Sequence, residues 1–306
     1  MTSPEVSAPP LPAGASSWRW PIWKGHGTEN DFVLIDDRDD ELVLDEALIR
    51  ALCDRRSGIG GDGVLRVVRT PHAASEWFMD YRNADGSTAE MCGNGARVFA
   101  RYLQHHALVD EVRFSIGTRA GDTEVELRED GLVTVELGPV TVLDAVALVT
   151  APGSDSARNG RAISMPNPHV VVAMDSVDQL IRLELDAPPT VDPPLPAGQN
   201  VEFVTQLAPG HLQMRVHERG SGETRSCGTG IAAVVVAAEL SRSGGGGGPT
   251  SWRVDVPGGT TWARWDGAER VALTGAAVLV GRIEPDPDWL AASTMPSDGA
   301  GRSALS

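Results

Sequence analysis

The chain has 306 residues, of which 42 are acidic and 26 basic, and its formal net charge is −16. This length predicts two domains of roughly 130 residues each. No Lys and Arg cluster forms a stripe that would neutralise phosphates, which excludes nucleic acids and anionic membranes as partners. The sequence contains neither a signal peptide nor an apolar stretch of roughly 18 residues, so we expect a cytoplasmic protein.

The composition of both chain ends differs from that of the rest. Residues 1–16 are rich in Pro, Ala and Ser, and residues 291–306 are small and polar. Both segments are predicted to be disordered tails. Five glycines at 244–248 indicate a solvent-exposed connection.

Between the tails, apolar residues follow two different periods. Alternation, as at Val133, Val135 and Leu137, is typical of half-buried antiparallel strands. Helical spacing occurs around 98–103, and a continuous apolar run at 231–240 indicates a helix that is buried on all sides. The pattern predicts an α+β fold.

The three cysteines have to be considered one by one. Cys53, Cys92 and Cys227 form no Cys-x-x-Cys pair and have no histidines at zinc-ligand spacing, so we expect neither a disulfide framework nor a metal site. Cys53 lies in a predicted amphipathic helix, where a free cysteine is usually a small buried apolar residue.

The other two cysteines belong to a short internal repeat. The sequence Cys-Gly-x-Gly occurs at 92–95 and at 227–230, each time before a predicted helix. We therefore expect two similar halves, each a sheet around a helix, that bring two helix N-termini and two thiols to one cleft.

This arrangement suits proton transfer at a carbon atom. A helix N-terminus binds an anion such as a carboxylate, and it can lower a thiol pKa from about 8.5 to roughly 3.5–7.5. Inversion of a stereocentre needs a base on one face and an acid on the other, and two cysteines supply both. Since no phosphate loop, dinucleotide fingerprint or pyridoxal lysine site is visible, we expect no cofactor.

Five segments of the chain, in order, resemble the diaminopimelate epimerase family: KGHGTENDFVLID (24–36), YRNADGSTAEMCGNGAR (81–97), PNPH (166–169), NVEF (200–203) and ERGSGETRSCGTG (218–230). The resemblance covers about residues 20–285. It implies two pseudo-symmetric domains, each a β-barrel-like antiparallel sheet around a central helix. The implied boundaries are 17–137 and 138–274, with a strand at about 275–290 returning to the first domain.

The resemblance also implies an activity, the epimerisation of LL-2,6-diaminoheptanedioate to the meso form in lysine and peptidoglycan precursor synthesis. The small-molecule substrate would be the main partner, and the protein would be a homodimer. In this reaction Cys92 corresponds to the base that addresses the LL isomer, and Cys227 to the acid on the other face.

The family's substrate contacts match ten further positions. Backbone N–H groups that hold the reacting α-carboxylate correspond to Gly93, Asn94, Gly228 and Thr229. Side chains that contact the substrate correspond to Asn30, Asn83, Asn167, Asn200, Glu218 and Arg219, with Arg219 suited to a bidentate contact with the distal carboxylate. His169 is a further candidate, for a contact with the substrate ammonium or for tuning protonation.

One position departs from the family pattern. Gly63 stands where glutamine, a side-chain donor to the substrate, is usual. Either a water molecule or a neighbour such as Asn30 substitutes for it, or the site is looser there.

Two other functions remain open at this point. A racemase of the proline racemase type has a similar cysteine pair, but its cyclic monocarboxylate substrate leaves Arg219 without a distal carboxylate to bind. A thiol redox switch between Cys92 and Cys227 accounts for the cysteines, but not for the asparagines or for Arg219.

Overall fold

The computed structural model describes residues 18–70, 75–165, 167–242 and 251–294. The predicted tail at 1–16 and the glycine run at 244–248 lie outside these residues. The predicted C-terminal tail is wrong at its start, because helix Pro287–Thr294 includes residues 291–294. This helix is capped by the Asp286 carboxylate and held by the Trp289 indole N–H, which donates to the carbonyl of Ser57.

The first half of the chain contains seven strands and two helices within its described part. The strands are β1 (Ile22–Gly27), β2 (Asn30–Asp36), β3 (Gly63–Arg69), β4 (Trp77–Asn83), β5 (Arg113–Thr118), β6 (Gly121–Leu127) and β7 (Val133–Leu137). The helices are α1 (Glu46–Cys53) and α2 (Gly93–His105).

The second half is built from a similar set, followed by a returning strand and a last helix. The strands are β8 (Thr141–Thr150), β9 (Arg158–Ser164), β10 (Pro168–Ala173), β11 (Thr190–Asp192), β12 (Asn200–Ala208), β13 (His211–Glu218), β14 (Gly222–Thr224), β15 (Trp252–Val256), β16 (Gly259–Trp265), β17 (Val271–Gly275) and β18 (Val278–Ile283). The helices are α3 (Val177–Arg182), α4 (Gly228–Arg242) and α5 (Pro287–Thr294).

The two halves repeat one strand order. The pairs β1–β2, β3–β4, β5–β6 and β6–β7 are antiparallel, whereas β2–β3 and β4–β5 are parallel. In the second half β9–β10, β12–β13, β15–β16 and β16–β17 are antiparallel, whereas β10–β12 and β13–β15 are parallel. The prediction of a purely antiparallel sheet is therefore wrong, and the pairing in each half is mixed. The strands of each parallel pair are joined by a crossover that contains a helix.

Each half curls around its longer helix. Helix α2 packs against β1, β2 and β18 at one end of the sheet and β7 at the other, and α4 packs against β10, β12 and β16. Strand β7 pairs with β17, which joins the halves, and β18 pairs with β1. The predicted α+β class and the pseudo-symmetric arrangement are confirmed, while the domain boundaries stay a prediction.

The side-chain pattern explains why these two helices are central. The run predicted to be buried on all sides is buried from Gly228 to Ala237 of α4, and α2 is buried from Gly93 to Ala100. The predicted alternation also holds, since Val133, Val135 and Leu137 of β7 are buried and the residues between them are half-buried. Both helices therefore begin inside the protein, and the residues at their N-termini share its interior.

Candidate active site

The two repeat cysteines lie at the N-termini of the two central helices. Cys92 is the N-cap of α2, and its Sγ accepts the N–H of Gly95 at 3.4 Å. Cys227 directly precedes α4, and its carbonyl accepts the N–H of Ile231 at 2.9 Å. Cys92 is half-buried and Cys227 is buried. Cys53 is also buried, as predicted, and it lies at the end of α1.

The N-termini of α2 and α4 are in direct contact. A Cβ atom at Gly228 would lie 3.2 Å from Cα of Gly93 and 3.3 Å from the nitrogen of Asn94, so only glycine allows this approach. The Asn94 amide donates to the carbonyl of Ser226 at 3.1 Å and to its hydroxyl at 3.2 Å. The contact brings both sets of helix N–H groups to one place, where they can bind one carboxylate.

A side-chain amide lies beside each thiol in a fixed orientation. The Cys92 thiol donates to Oδ1 of Asn30 at 3.6 Å, and Nδ2 of Asn30 donates to the Asp62 carboxylate at 2.6 Å. On the other side, Nδ2 of Asn200 donates to Sγ of Cys227 at 3.9 Å. The Asn200 oxygen accepts the backbone N–H of Arg219 at 3.0 Å.

Three more predicted residues lie on the Cys227 side. The Thr229 hydroxyl is 3.5 Å from Sγ of Cys227 and accepts Nδ2 of Asn167 at 3.2 Å. The Glu218 carboxylate accepts the Thr224 hydroxyl. Burial raises the pKa of Glu218, although hydrogen bonds from Thr224 and Cys227 oppose this.

His169 is completely buried behind α4. Its Nδ1 lies 2.7 Å from Oε1 of Glu202, which is also completely buried. A Cβ at Gly230 would lie 2.6 Å from that Glu202 oxygen. His169 therefore has no surface open to the cleft in this structure, and it is linked to the first turn of α4 through Glu202.

Asn83 and Arg219 lie further out. Oδ1 of Asn83 accepts the Tyr81 hydroxyl at 2.9 Å, and its Nδ2 donates to Ser87 at 3.0 Å. The Arg219 side chain is exposed, and its guanidinium donates to the carbonyl of Ala197. The structure thus brings Asn30, Asn167, Asn200, Glu218 and Thr229 to the two thiols. It leaves Asn83 bonded to Tyr81 and Ser87, His169 buried against Glu202, and the Arg219 guanidinium at the surface.

Gly63 has no room for a side chain. A Cβ there would collide with the carbonyl of Arg82 and lie 2.8 Å from Cε2 of Tyr81. Asn30 donates one hydrogen of its amide nitrogen to the Asp62 carboxylate, and the second hydrogen of that nitrogen is available to stand in for the missing glutamine. The Tyr81 ring fills the space beside Gly63.

The predicted lowering of the thiol pKa is wrong. Burial raises the pKa of Cys92 to about 11, and the N–H groups of Gly95 and Asn94 only partly offset this. Burial, followed by the charges of Glu218 and Glu202, also raises the pKa of Cys227 well above its usual value. The free-energy cost of removing a thiolate from water is larger than the stabilisation that one helix N-terminus provides.

Sequence reasoning missed four residues that support the site: Thr28, Asp62, Tyr81 and Arg97. Asp62 fixes the Asn30 amide, and Tyr81 holds Asn83. Thr28 and Arg97 belong to a buried polar cluster with Asn94 and Ser226. One signal was visible, since Arg97 is a charged residue inside a helix whose neighbouring positions are apolar.

Two features are absent from the described residues. No group of three or more His, Cys, Asp or Glu side chains is placed to hold a metal ion. No helix in this part of the chain has the length and apolar character needed to cross a membrane.

Comparison with solved structures identifies the fold. A hydroxyproline epimerase from Agrobacterium vitis matches with a TM-score of 0.63 at 15% identity, over 87% of this chain and 92% of its own. A Bacillus anthracis phenazine biosynthesis protein of the PhzF family also matches with a TM-score of 0.63, at 14% identity over 86% and 98%. At such low identity these matches establish the fold alone.

Sequence comparison identifies the family. The diaminopimelate epimerase model matches residues 22–143 and 161–280. The diaminopimelate epimerase of Thermobifida fusca is 50% identical over 84% of this chain and 94% of its own length. That of Streptomyces coelicolor is 48% identical over 90% and 98%. The chain belongs to the diaminopimelate epimerase family, so the predicted family, isomerase class and epimerase activity are confirmed.

Proposed function

We propose that the protein converts LL-2,6-diaminoheptanedioate to its meso form with Cys92 as the base and Cys227 as the acid. One observation carries the mechanism, the contact between the α2 and α4 N-termini at Gly93 and Gly228. Because each cysteine directly precedes one of these helices, both thiols border the place where the helices meet. A carbon held there has one thiol on each side.

The helix N-termini bind the α-carboxylate of the substrate. The first N–H groups of a helix have no partners within it, and they carry about half a positive charge. Those of Gly93, Asn94, Gly228 and Thr229 hold the carboxylate. When the α-proton leaves, negative charge spreads into the carboxylate, and the same N–H groups stabilise it as an oxyanion hole does.

The charges around the thiols favour Cys92 as the base. Cys227 faces the carboxylates of Glu218 and Glu202, which add to the effect of burial on its pKa. At Cys92 the charge of Glu218 also adds to the effect of burial, but the N–H groups of Gly95 and Asn94 and the charge of Arg97 oppose it. Cys92 therefore loses its proton first, and Cys227 keeps the proton that it delivers to the opposite face.

Polar side chains at the cleft then select the substrate. The amides of Asn30, Asn83, Asn167 and Asn200 contact its polar groups, and Glu218 contacts its ammonium group. The Arg219 guanidinium turns from the Ala197 carbonyl to the distal carboxylate, which it binds through two parallel hydrogen bonds. Since a cyclic monocarboxylate has no such group, this contact favours diaminopimelate.

We also propose that the protein is a cytoplasmic homodimer. Apolar side chains are exposed on two strands, at Val278 and Val280 of β18 and at Val146 and Leu148 of β8. Light scattering of the purified protein measures the mass in solution. A mass of twice 32.3 kDa is expected, and a monomer at micromolar concentration would contradict this part of the proposal.

The test of function is incubation with LL-diaminopimelate followed by chiral separation of the stereoisomers. We expect the meso form to accumulate until the two forms reach equilibrium, with no cofactor added. L-Proline and trans-4-hydroxy-L-proline, offered in parallel, should remain unchanged. Turnover of a cyclic amino acid without turnover of diaminopimelate would contradict the proposal, and so would thiol oxidation as the sole observable activity.

A further inference from the structure

Arg97 is a completely buried guanidinium at the junction of the two halves. It lies in α2, five residues after Cys92, and has no exposed surface. Two glycines make room for it. A Cβ at Gly27 would lie 3.3 Å from Nη2 of Arg97, and one at Gly275 would collide with Nη1.

This guanidinium has no carboxylate partner among the residues that the structure describes. Its Nη2 donates to the hydroxyl of Thr28 at 3.1 Å and to Oδ1 of Asn94. Its Nε and Nη1 have no hydrogen-bond partner in this part of the chain. A buried charge is normally paired, because an unpaired one loses its hydration without compensation.

A second buried arginine follows that rule. Arg66 is 8% exposed and forms ion pairs with Asp37, Asp40 and Asp80. The fold is thus able to surround a buried guanidinium with carboxylates, yet it gives Arg97 only neutral partners. The positive charge of Arg97 is therefore available to stabilise a negative charge that forms elsewhere in the site.

A chain of hydrogen bonds connects the guanidinium to Cys92. The guanidinium donates to Oδ1 of Asn94, and Nδ2 of Asn94 donates at 3.2 Å to Oδ1 of Asn30, the same oxygen that accepts the Cys92 thiol at 3.6 Å. Burial lowers the pKa of Arg97 to about 10, and the Cys92 thiolate opposes that change. Arg97 is therefore charged at neutral pH. The other charged group that acts on Cys92 is Glu218, which disfavours the thiolate. Tyr81 is also nearby and stays neutral, because burial raises its pKa.

We propose that Arg97 is a positioning residue that acts through Cys92, where its buried charge offsets the thiolate and makes Cys92 the base. The proposal rests on the two-thiol function described above. During the step, the α-proton moves to the Cys92 sulfur, and the electron pair of the broken C–H bond spreads into the carboxylate at the helix N-termini. The negative charge stays close to Arg97 throughout, so its stabilisation persists.

The experiment measures the alkylation rate of Cys92 by iodoacetamide against pH, without substrate, by peptide mass spectrometry. Arg97→Met removes the charge, whereas Arg97→Lys keeps it. Thiolate formation changes about tenfold for each unit of thiol pKa. In Arg97→Met we expect iodoacetamide to alkylate Cys92 at least about tenfold more slowly at pH 8 than in the wild type. The variant should show a similar loss of kcat and little change in KM. Arg97→Lys should stay within about threefold of the wild type in both rates.

Two further variants separate charge from structure. Thr28→Val removes a hydrogen-bond partner of Arg97 but not the charge, so its alkylation profile should match the wild type. Gly275→Ala displaces the guanidinium and should reproduce the slower alkylation even if Arg97→Met does not fold. Gly281→Ala is its control, because a Cβ there has open space.

The proposal is overturned if Arg97→Met or Gly275→Ala leaves the alkylation profile unchanged, or if Thr28→Val shifts it equally. Equal loss of kcat in Arg97→Met and Arg97→Lys would also contradict it and indicate a structural role. Failure of the two-thiol function would instead appear as an active Cys92→Ser enzyme. The alkylation rates involve no substrate and would be unaffected by that result.

Discussion

Gly228 and Gly93 bring the backbones of the two central helices into contact, so that a Cβ on Gly228 would lie 3.2 Å from Cα of Gly93. This contact defines the site, because it fixes the distance and angle between the two N-termini that would hold one carboxylate. Cys92 and Cys227 lie beside it, each one residue before its glycine. Geometry at this contact should therefore affect catalysis more than stability.

Gly228→Ala tests that expectation. The new methyl group would meet the backbone of Gly93 and Asn94 and force the helices apart by a few tenths of an ångström. Since a displacement of about 1 Å in a catalytic site can reduce the rate about 100-fold, we expect kcat to fall about tenfold. Kinetics and thermal unfolding are measured together, with Gly281→Ala as the matched control. Unchanged kcat in Gly228→Ala would show that the contact does not set the catalytic geometry.

Cys92→Ser and Cys227→Ser should each nearly abolish epimerisation while the fold remains intact. Serine has a similar size, but its hydroxyl is a far weaker acid than a thiol and supplies no base near neutral pH. Cys53→Ala is the control, because Cys53 is buried in α1 away from the helix N-termini and should keep full turnover. Most of the activity remaining in either serine variant would refute the two-thiol mechanism.

The sequence predicts those features of the site that depend on neighbouring residues better than those that depend on contacts between distant segments. The repeat of Cys-Gly-x-Gly predicts both helix starts, because capping and glycine preference are local. The contact of Gly228 with Gly93, the hydrogen bond from Asn30 to Asp62 and the burial of Arg97 each depend on distant segments. They depend on strand register and on the packing of two halves, which local patterns do not specify.

The thiol pKa illustrates the same limit. Sequence identifies the helix N-terminus, which lowers the pKa of Cys92, but not the degree of burial, which raises it by more. The C-terminal helix was missed for a related reason. Residues 291–294 are small and polar, but the helix that they end is held by the capping carboxylate of Asp286 and by the hydrogen bond from the Trp289 indole to the carbonyl of Ser57.

Arg219→Ala should weaken substrate binding by raising KM. If the guanidinium pairs with the distal carboxylate inside the closed cleft, its removal costs on the order of 2 kcal/mol or more, about 30-fold in kcat/KM. Arg219→Lys should also be impaired, because a point charge does not replace the planar fork. The measurement is steady-state kinetics with LL-diaminopimelate. An Arg219→Ala enzyme within threefold of wild type would place the distal carboxylate elsewhere.

The rate should rise with pH because both thiols begin protonated. With the pKa of Cys92 raised to about 11, the thiolate fraction grows about tenfold per pH unit below that value. Alkylation of Cys92 in the wild type should therefore increase steadily from pH 7 to pH 10, and kcat/KM should rise with it until Cys227 also loses its proton. A rate of alkylation that is constant above pH 7 would mean that the thiolate already exists at neutral pH.

The two-thiol mechanism is tested most directly by deuterium incorporation from solvent. The reaction is run in deuterated water from pure LL-diaminopimelate and stopped early, and both stereoisomers are analysed by mass spectrometry. Because Cys227 has exchanged with solvent while Cys92 holds the proton it removed, deuterium should appear at the inverted carbon of the meso product. Recovered LL substrate should stay almost unlabelled, and a reaction started from the meso form should give the mirrored pattern. Equal early labelling of substrate and product would indicate a single base and contradict the assignment of Cys92 and Cys227 to opposite faces.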